Sequence, residues 1–270
     1  MAATRKWLSS LMLEMPAPLR SLRNLPIVGS LMHRLSHRLL PADQKVWARV
    51  EQGPGQGLWL ELNPRTGQQY LHGEVEPAIQ SVLAERLKPG MVFYDLGANI
   101  GFFSLLAARL VGATGKVFSF EPDPENAARL RRNIARNGFV NATVVESGIW
   151  STSGNVNFIA ADLSSPDRGV GKFAVGEGAT AGTPTPCVAL DDFVRSAPAP
   201  DAIKCDIEGA EIEAFRGAAG LLEARHPLIL CEMHSDENDK FLRDYFSRSG
   251  YRLESLDTFH VLALPQPVAK

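Results

Sequence analysis

Four short segments of the chain gather the residue types from which a nucleoside-binding and proton-handling site can be built. The first is Asp95-Leu96-Gly97-Ala98-Asn99-Ile100-Gly101. Spaced glycines let a backbone turn tightly and approach a ligand, and the N–H groups opening a following helix attract a carboxylate. The second is Glu121-Pro122-Asp123, where a carboxylate can accept hydrogen bonds from both hydroxyls of a ribose. Asp123 is better suited to capping a helix that starts at Pro124, which leaves Glu121 for the ribose. The third is Lys204-Cys205-Asp206-Ile207-Glu208-Gly209-Ala210-Glu211. Strand alternation puts Lys204 and Asp206 on one face, where the lysine can neutralise the aspartate and still leave a carboxylate poised. Glu211 and Glu213 read as acids that stabilise the start of the next helix. The fourth is Glu232-Met233-His234, a histidine beside a carboxylate, able to take a proton from a hydroxyl. Asp206, Glu232 and His234 together could also hold a divalent cation.

These segments need strands behind them, and the sequence supplies strands. From Met91 onward apolar runs alternate with helical patterns: strands at 91–96, 116–120, 142–146, 202–205 and 228–231, helices at 102–111, 124–137, 210–222 and 238–249. A closing antiparallel pair is expected at 251–256 and 260–264. Such alternation predicts an α/β fold, a doubly wound, mostly parallel seven-stranded sheet with helices on both faces. Each of the four segments follows a strand, at the carboxyl edge where open α/β sheets bind ligands. Residues 151–186, rich in glycine, interrupt the alternation as an exposed flap with one short strand near 155–160. Upstream, 53–57 reads as a break and 58–62 as part of a small hairpin. The domain boundary is therefore set there: 1–57 as a basic helical extension and 58–270 as the catalytic domain.

The first loop reads G-x-N-x-G, whereas a dinucleotide fingerprint needs glycine at 97, 99 and 102. This counts against a nicotinamide-dependent oxidoreductase, which shares the sheet and the ribose carboxylate. DLGANIGFFS followed by FEPDPEN resembles instead the FkbM family of S-adenosylmethionine-dependent methyltransferases. Gly-Glu-Val-Glu at 73–76, Lys-Pro-Gly at 88–90, Leu190-Asp191-Asp192, KCDIEGAE and LILCEMH follow the family order, so the resemblance covers residues 73–264. It implies S-adenosylmethionine as cofactor, with Gly97, Asn99 and Gly101 along its methionine end and Asp95 steadying the loop. Glu121 and Pro122 would then meet the ribose, and Ser147 and Gly148 the adenine. Asp206, Glu232 and His234 become the pool of groups that orient and deprotonate an acceptor hydroxyl on a sugar, glycan or polyketide-type product. A non-catalytic, cofactor-binding assembly protein is the remaining alternative, and carboxylates at three strand ends weigh against it.

Composition narrows the partners. A formal net charge of −2 gives no reason to expect nucleic acid. Residues 1–40 are the exception, with six basic residues against Glu14, in two or three short amphipathic helices. They are read as a packed extension and a candidate wall of the acceptor pocket in preference to a membrane-surface segment. Three scattered cysteines make neither a disulfide framework nor a zinc site, which fits a cytoplasmic protein. The histidines His33, His37, His226 and His260 and the tryptophans Trp47, Trp59 and Trp150 read as surface or packing residues, whereas His72, just ahead of the lead-in at 73–76, has no role assigned from the sequence.

Overall fold

The computed structural model describes residues 45–64, 66–160, 171–173 and 182–266. The expected N-terminal helices, with His33 and His37, lie outside the described residues. The chain divides into two compact units, Met1–Pro77 and Ala78–Lys270.

In the first unit, β1 (Val46–Arg49) pairs antiparallel with β2 (Trp59–Leu62), so the Gly-Pro-Gly-Gln-Gly break forms the loop of the hairpin. Leu58, Leu60 and Leu62 are buried on its inner face, as their alternation requires. A single helical turn, α1 (Gln68–Leu71), follows. Here His72, unassigned from the sequence, is buried with Nδ1 2.9 Å from Glu51 Oε2.

The second unit follows α2 (Pro77–Arg86) with β3 (Val92–Leu96), α3 (Phe102–Val111), β4 (Lys116–Phe120), α4 (Pro124–Arg136) and β5 (Ala142–Val145). After an intervening small sheet come α5 (Leu190–Phe193), β10 (Ala202–Cys205), α6 (Glu211–Arg216), α7 (Ala219–Arg225) and β11 (Leu228–Glu232). The chain closes with α8 (Asp236–Arg248), β12 (Tyr251–Ser255) and β13 (His260–Pro265). The seven-stranded sheet runs β12-β13-β11-β10-β3-β4-β5, parallel except for β13, which is antiparallel to both of its neighbours. The chain starts at β3 in the middle, steps outward to β5, then returns to build β10 and β11 on the other side. Strand order therefore reverses between β3 and β10, and right-handed crossovers in opposite directions cover opposite faces of the sheet.

Continuous apolar strands suit a sheet buried on both faces: all four residues of β10 are buried, as are Phe93, Tyr94 and Leu96 of β3. Tyr94, Phe120 and Phe193 stack edge to face in this core. Helix α4 begins as expected, with Asp123 Oδ1 accepting from the N–H groups of Glu125 and Asn126 at 2.8 and 3.0 Å.

Two expectations change in detail. The flap contains β6 (Gly148–Ile149), β7 (Gly154–Ile159), β8 (Lys172–Phe173) and β9 (Thr183–Val188), a second sheet ordered β6-β9-β7-β8. It has its own apolar cluster of Phe158, Phe173 and Cys187, packed with Ala210 beside the third motif. The helix expected over 210–222 is broken into α6 and α7 at Gly217-Ala218. A side chain at Gly217 would place Cβ 2.3 Å from the Trp150 carbonyl oxygen, and the Gly217 carbonyl accepts the Asp191 N–H at 2.8 Å. Asp191 then caps α7 from outside, accepting the N–H groups of Gly220 and Leu221 at 2.9 and 2.7 Å, where Ala218 has no side chain to do so. Asp191→Ala should lower unfolding free energy by about 1–2 kcal/mol, the worth of a helix N-cap. Chemical denaturation checks this, and a change below about 0.3 kcal/mol would remove the cap from the account.

Candidate active site

The loop after β3 is braced from both sides. Gly97 and Ala98 donate to the Phe120 carbonyl at 3.0 and 2.9 Å, and Asn133 Nδ2, buried on α4, donates to the Ile100 carbonyl at 2.7 Å. Asp95 is buried and accepts from Ser104 Oγ at 2.5 Å, tying the strand end to the first turn of α3. Gly97, Asn99 and Gly101 all have positive φ, at 80°, 49° and 90°. Glycine is required at the outer two by the protein itself. A Cβ on Gly97 would lie 1.8 Å from the Asp206 carbonyl oxygen, and one on Gly101 2.1 Å from Leu130 Cδ1. The loop is thus pressed directly against the start of the third motif. Asn133 and Ser104 escape sequence reasoning because each is an ordinary helix residue until the tertiary contact is known.

Glu121 is 5% exposed, with Oε2 accepting the Asn99 N–H at 2.7 Å and Oε1 the Asp123 N–H at 3.0 Å. Burial pushes its carboxyl up to about 7, against the opposing pull of those two donors. Each oxygen keeps acceptor capacity for a further donor, the property a ribose diol needs. Pro122 follows it, half-buried. Ser147 and Gly148, next along the carboxyl edge, are buried; Ser147 Oγ lies 3.0 and 3.1 Å from the Gly148 and Pro186 carbonyls, and Gly148 sits against Phe173.

Across the switch point, the turn after β10 and the end of β11 converge. Asp206 Oδ2 accepts from Lys204 Nζ at 3.0 Å, and this ammonium also lies 4.6 Å over the Phe103 ring. Burial pushes the Asp206 carboxyl up, but the charge and hydrogen bond of the ammonium, with the imidazoles of His234 and His260, together hold the group below its ordinary range. His234 Nε2 lies 3.6 Å from Asp206 Oδ1, 3.5 Å from Glu208 Oε2 and 3.9 Å from Glu232 Oε1. The structure therefore brings Asp206, Glu232 and His234 together, with ligand-type atoms within 4.8 Å of one another.

The residue missed by sequence reading is Glu211. It is fully buried, and Oε1 accepts from His234 Nδ1 at 2.8 Å and from the N–H groups of Ile207 and Gly209 at 3.2 and 3.1 Å. Its other oxygen accepts from Asn238 Nδ2 at the start of α8. His234 must present a proton at Nδ1 to this carboxylate, which leaves Nε2 as the ring position that changes state in front of the other acids. Burial would lower the imidazole, but the bond to Glu211 and the charges of Glu211, Asp206 and Glu208 raise it to about 9. The carboxyl of Glu208 is raised, chiefly by burial.

A glycine-bent loop after the first strand, a buried carboxylate after the second and a histidine–carboxylate cluster across the switch point sit on the fold of a class I S-adenosylmethionine-dependent methyltransferase. Residues 95–253 match the model of the methyltransferase FkbM domain, and the chain belongs to that family. A hexuronic acid methyltransferase, AglP, of Haloferax volcanii is 28% identical over 188 residues, covering 68% of this chain and 72% of that protein. A protein-L-isoaspartate O-methyltransferase of Methanococcoides burtonii is 34% identical over 71 residues, 26% of this chain and 35% of that one. Among solved structures, an FkbM methyltransferase of Methylobacillus flagellatus is 20% identical with a TM-score of 0.49, covering 66% of this chain. The match spans 44% of that longer chain. Among the described residues no helix is long and apolar enough to cross a membrane.

The His234 equilibrium makes a solution prediction. Its folded pKa lies above the unfolded value of about 6.5, so the ring contributes stability that is complete below about 6.5 and disappears as pH rises through about 9. The urea midpoint should fall over that window in the wild type and fall less in His234→Gln. Identical pH dependence in the two proteins would show that His234 is not charged by its neighbours.

Proposed function

We propose that the chain is an O-methyltransferase acting on a hydroxyl of a sugar or glycan, with His234 as the base that receives the hydroxyl proton. The observation that carries this reading is the Glu211–His234 pair, which fixes Nδ1 as a donor and turns Nε2 toward Asp206, Glu208 and Glu232. This is the orientation logic of a carboxylate–histidine couple, in which the acid sets the tautomer and the far nitrogen does the proton transfer. Asp206, kept ionised by Lys204, and Glu232 would orient the acceptor hydroxyl and then stabilise the imidazolium that forms. Every residue given a role lies in the second compact unit. We keep the boundary of the catalytic domain at residue 58, with 1–57 as its extension, and place the protein in the cytoplasm, where its three buried thiols stay reduced.

S-adenosylmethionine, when bound, supplies an electrophilic methyl group, so the protein's task is alignment and removal of one proton. Gly97, Asn99 and Gly101, with Asp95 behind them, would hold its methionine end, Glu121 and Pro122 the ribose, and Ser147 and Gly148 the adenine region. The buried, doubly N–H-bonded carboxylate of Glu121 fits that assignment. The small sheet of the flap packs on Ala210 and Ile207, which would make it one wall of the acceptor pocket. The sugar acceptor is supported by the relation to the Haloferax enzyme. Asp206, Glu232 and His234 could hold a divalent cation. It would have to displace the Nε2 proton and share Asp206 with the Lys204 ammonium, so we read the trio as handling a proton.

Methyl transfer from labelled S-adenosylmethionine to a panel of glycosides tests the reaction, and kcat/KM should rise with pH toward about 9 as His234 loses its proton. His234→Ala should abolish that limb and lower turnover about 10²–10⁴-fold, the usual worth of a general base. A flat profile in the wild type would take His234 out of the base role. Separately, Glu121→Ala should weaken S-adenosylhomocysteine binding by about 1–3 kcal/mol, measured by calorimetry, for the loss of charge-assisted hydrogen bonds. Wild-type affinity should also decline as pH falls below about 7, where the carboxyl gains its proton. Unchanged affinity in the variant would remove Glu121 from the cofactor site.

A further inference from the structure

The charge of the acceptor end of this crevice is strongly one-sided. Asp206, Glu208 and Glu232 stand within 4 Å of His234 Nε2, and Glu211 holds the opposite ring nitrogen. On the far side of Glu232, His260 Nε2 is 3.6 Å from Oε2, while its Nδ1 is held by Asp257 at 2.9 Å. Among the described residues, five carboxylates are thus in contact with three cationic or potentially cationic groups: Lys204, His234 and His260. Access makes the imbalance sharper. The side chains of Asp206, Glu208 and Glu232 are 21, 31 and 25% exposed, whereas that of Lys204 is 4% exposed. The ammonium is directed at Asp206 and lies over the Phe103 ring, so it is already engaged by the protein. His234 offers one N–H to an incoming group, and three carboxylates surround that N–H.

We infer that the acceptor presents an electrically neutral face to this cluster, a sugar diol in preference to a uronate. A hydroxyl donates to the carboxylates and approaches Nε2 as the atom to be deprotonated. A substrate carboxylate set on the neighbouring ring carbon has no proton to donate and meets like charge on three sides, which costs more than the single His234 contact returns. This inference rests on the sugar O-methylation proposed above and narrows it. It also separates this chain from what the name of its Haloferax relative says of that protein's acceptor.

The test compares kcat/KM for a neutral methyl pyranoside with that for the matching methyl uronide, in one buffer with the full-length protein. The neutral acceptor should be favoured by about tenfold or more at low salt, a modest like-charge penalty. The preference should shrink near 1 M salt, where screening reaches about 3 Å. Glu208→Gln should shift the ratio toward the uronide; because a ratio is read, a uniform loss of activity in the variant cancels. Its thermal midpoint and S-adenosylhomocysteine affinity check that it is folded. Equal or better use of the uronide by the wild type would overturn the inference while leaving sugar methylation intact. A neutral preference indifferent to both salt and Glu208→Gln would overturn it too, by showing that shape sets the choice. Turnover of neither acceptor, with cofactor affinity retained, would remove the sugar reading and this inference with it.

Discussion

A carboxylate without solvent contact holds the histidine–carboxylate cluster together. Glu211 takes two backbone N–H groups from the turn after β10, the imidazole after β11 and the amide that opens α8. A buried charge survives only when its lone pairs are filled, and here four donors fill them. Three segments distant in sequence are thereby fixed relative to one another, and the same carboxylate decides which nitrogen of His234 faces Asp206, Glu208 and Glu232. Replacing it with an apolar residue would leave those donors buried without an acceptor, so the geometry of the cluster and the local fold are one constraint.

The sheet makes the other half of the arrangement. Strand order reverses between β3 and β10, so the loop carrying Gly97 and the turn carrying Asp206 lie side by side. The contact is close enough that Gly97 tolerates no side chain beside the Asp206 carbonyl. Topology brings the two loops into contact, while the electrostatics divide by position. Glu121 stands after β4 as a carboxyl raised by burial, and Asp206 after β10 as one lowered by the Lys204 ammonium with the imidazoles of His234 and His260. Two acids on one edge thus differ in proton affinity because one has a cationic neighbour and the other does not.

Much of this was legible in the chain. Apolar strand runs, the Pro124 helix start with its Asp123 cap, the closing antiparallel pair and the placement of four motifs at strand ends are local patterns, and local patterns survive into the structure. What was not legible depends on partners remote in sequence. The break at Gly217-Ala218 follows from Asp191 and the Trp150 backbone docking there, contacts that no helical periodicity encodes. The extra strands of the flap are short and polar, and β1 becomes a strand by pairing with β2. From the sequence Glu211 reads as an acid that stabilises the start of the next helix. Its position carried a warning, because 211, 215, 218 and 222 fall on one helical stripe whose other members are Phe215, Ala218 and Leu222. An acid on an apolar stripe is buried, and a buried acid needs donors. Only the fold could say that one of them would be His234.

The most direct measurement is the ring-nitrogen spectrum of His234 in protein labelled with ¹⁵N-histidine, followed through its titration. The account predicts a midpoint near 9 and, above it, a neutral ring protonated at Nδ1 with Nε2 bare. A neutral ring carrying its proton at Nε2, or a midpoint at or below the ordinary value of about 6.5, would contradict it.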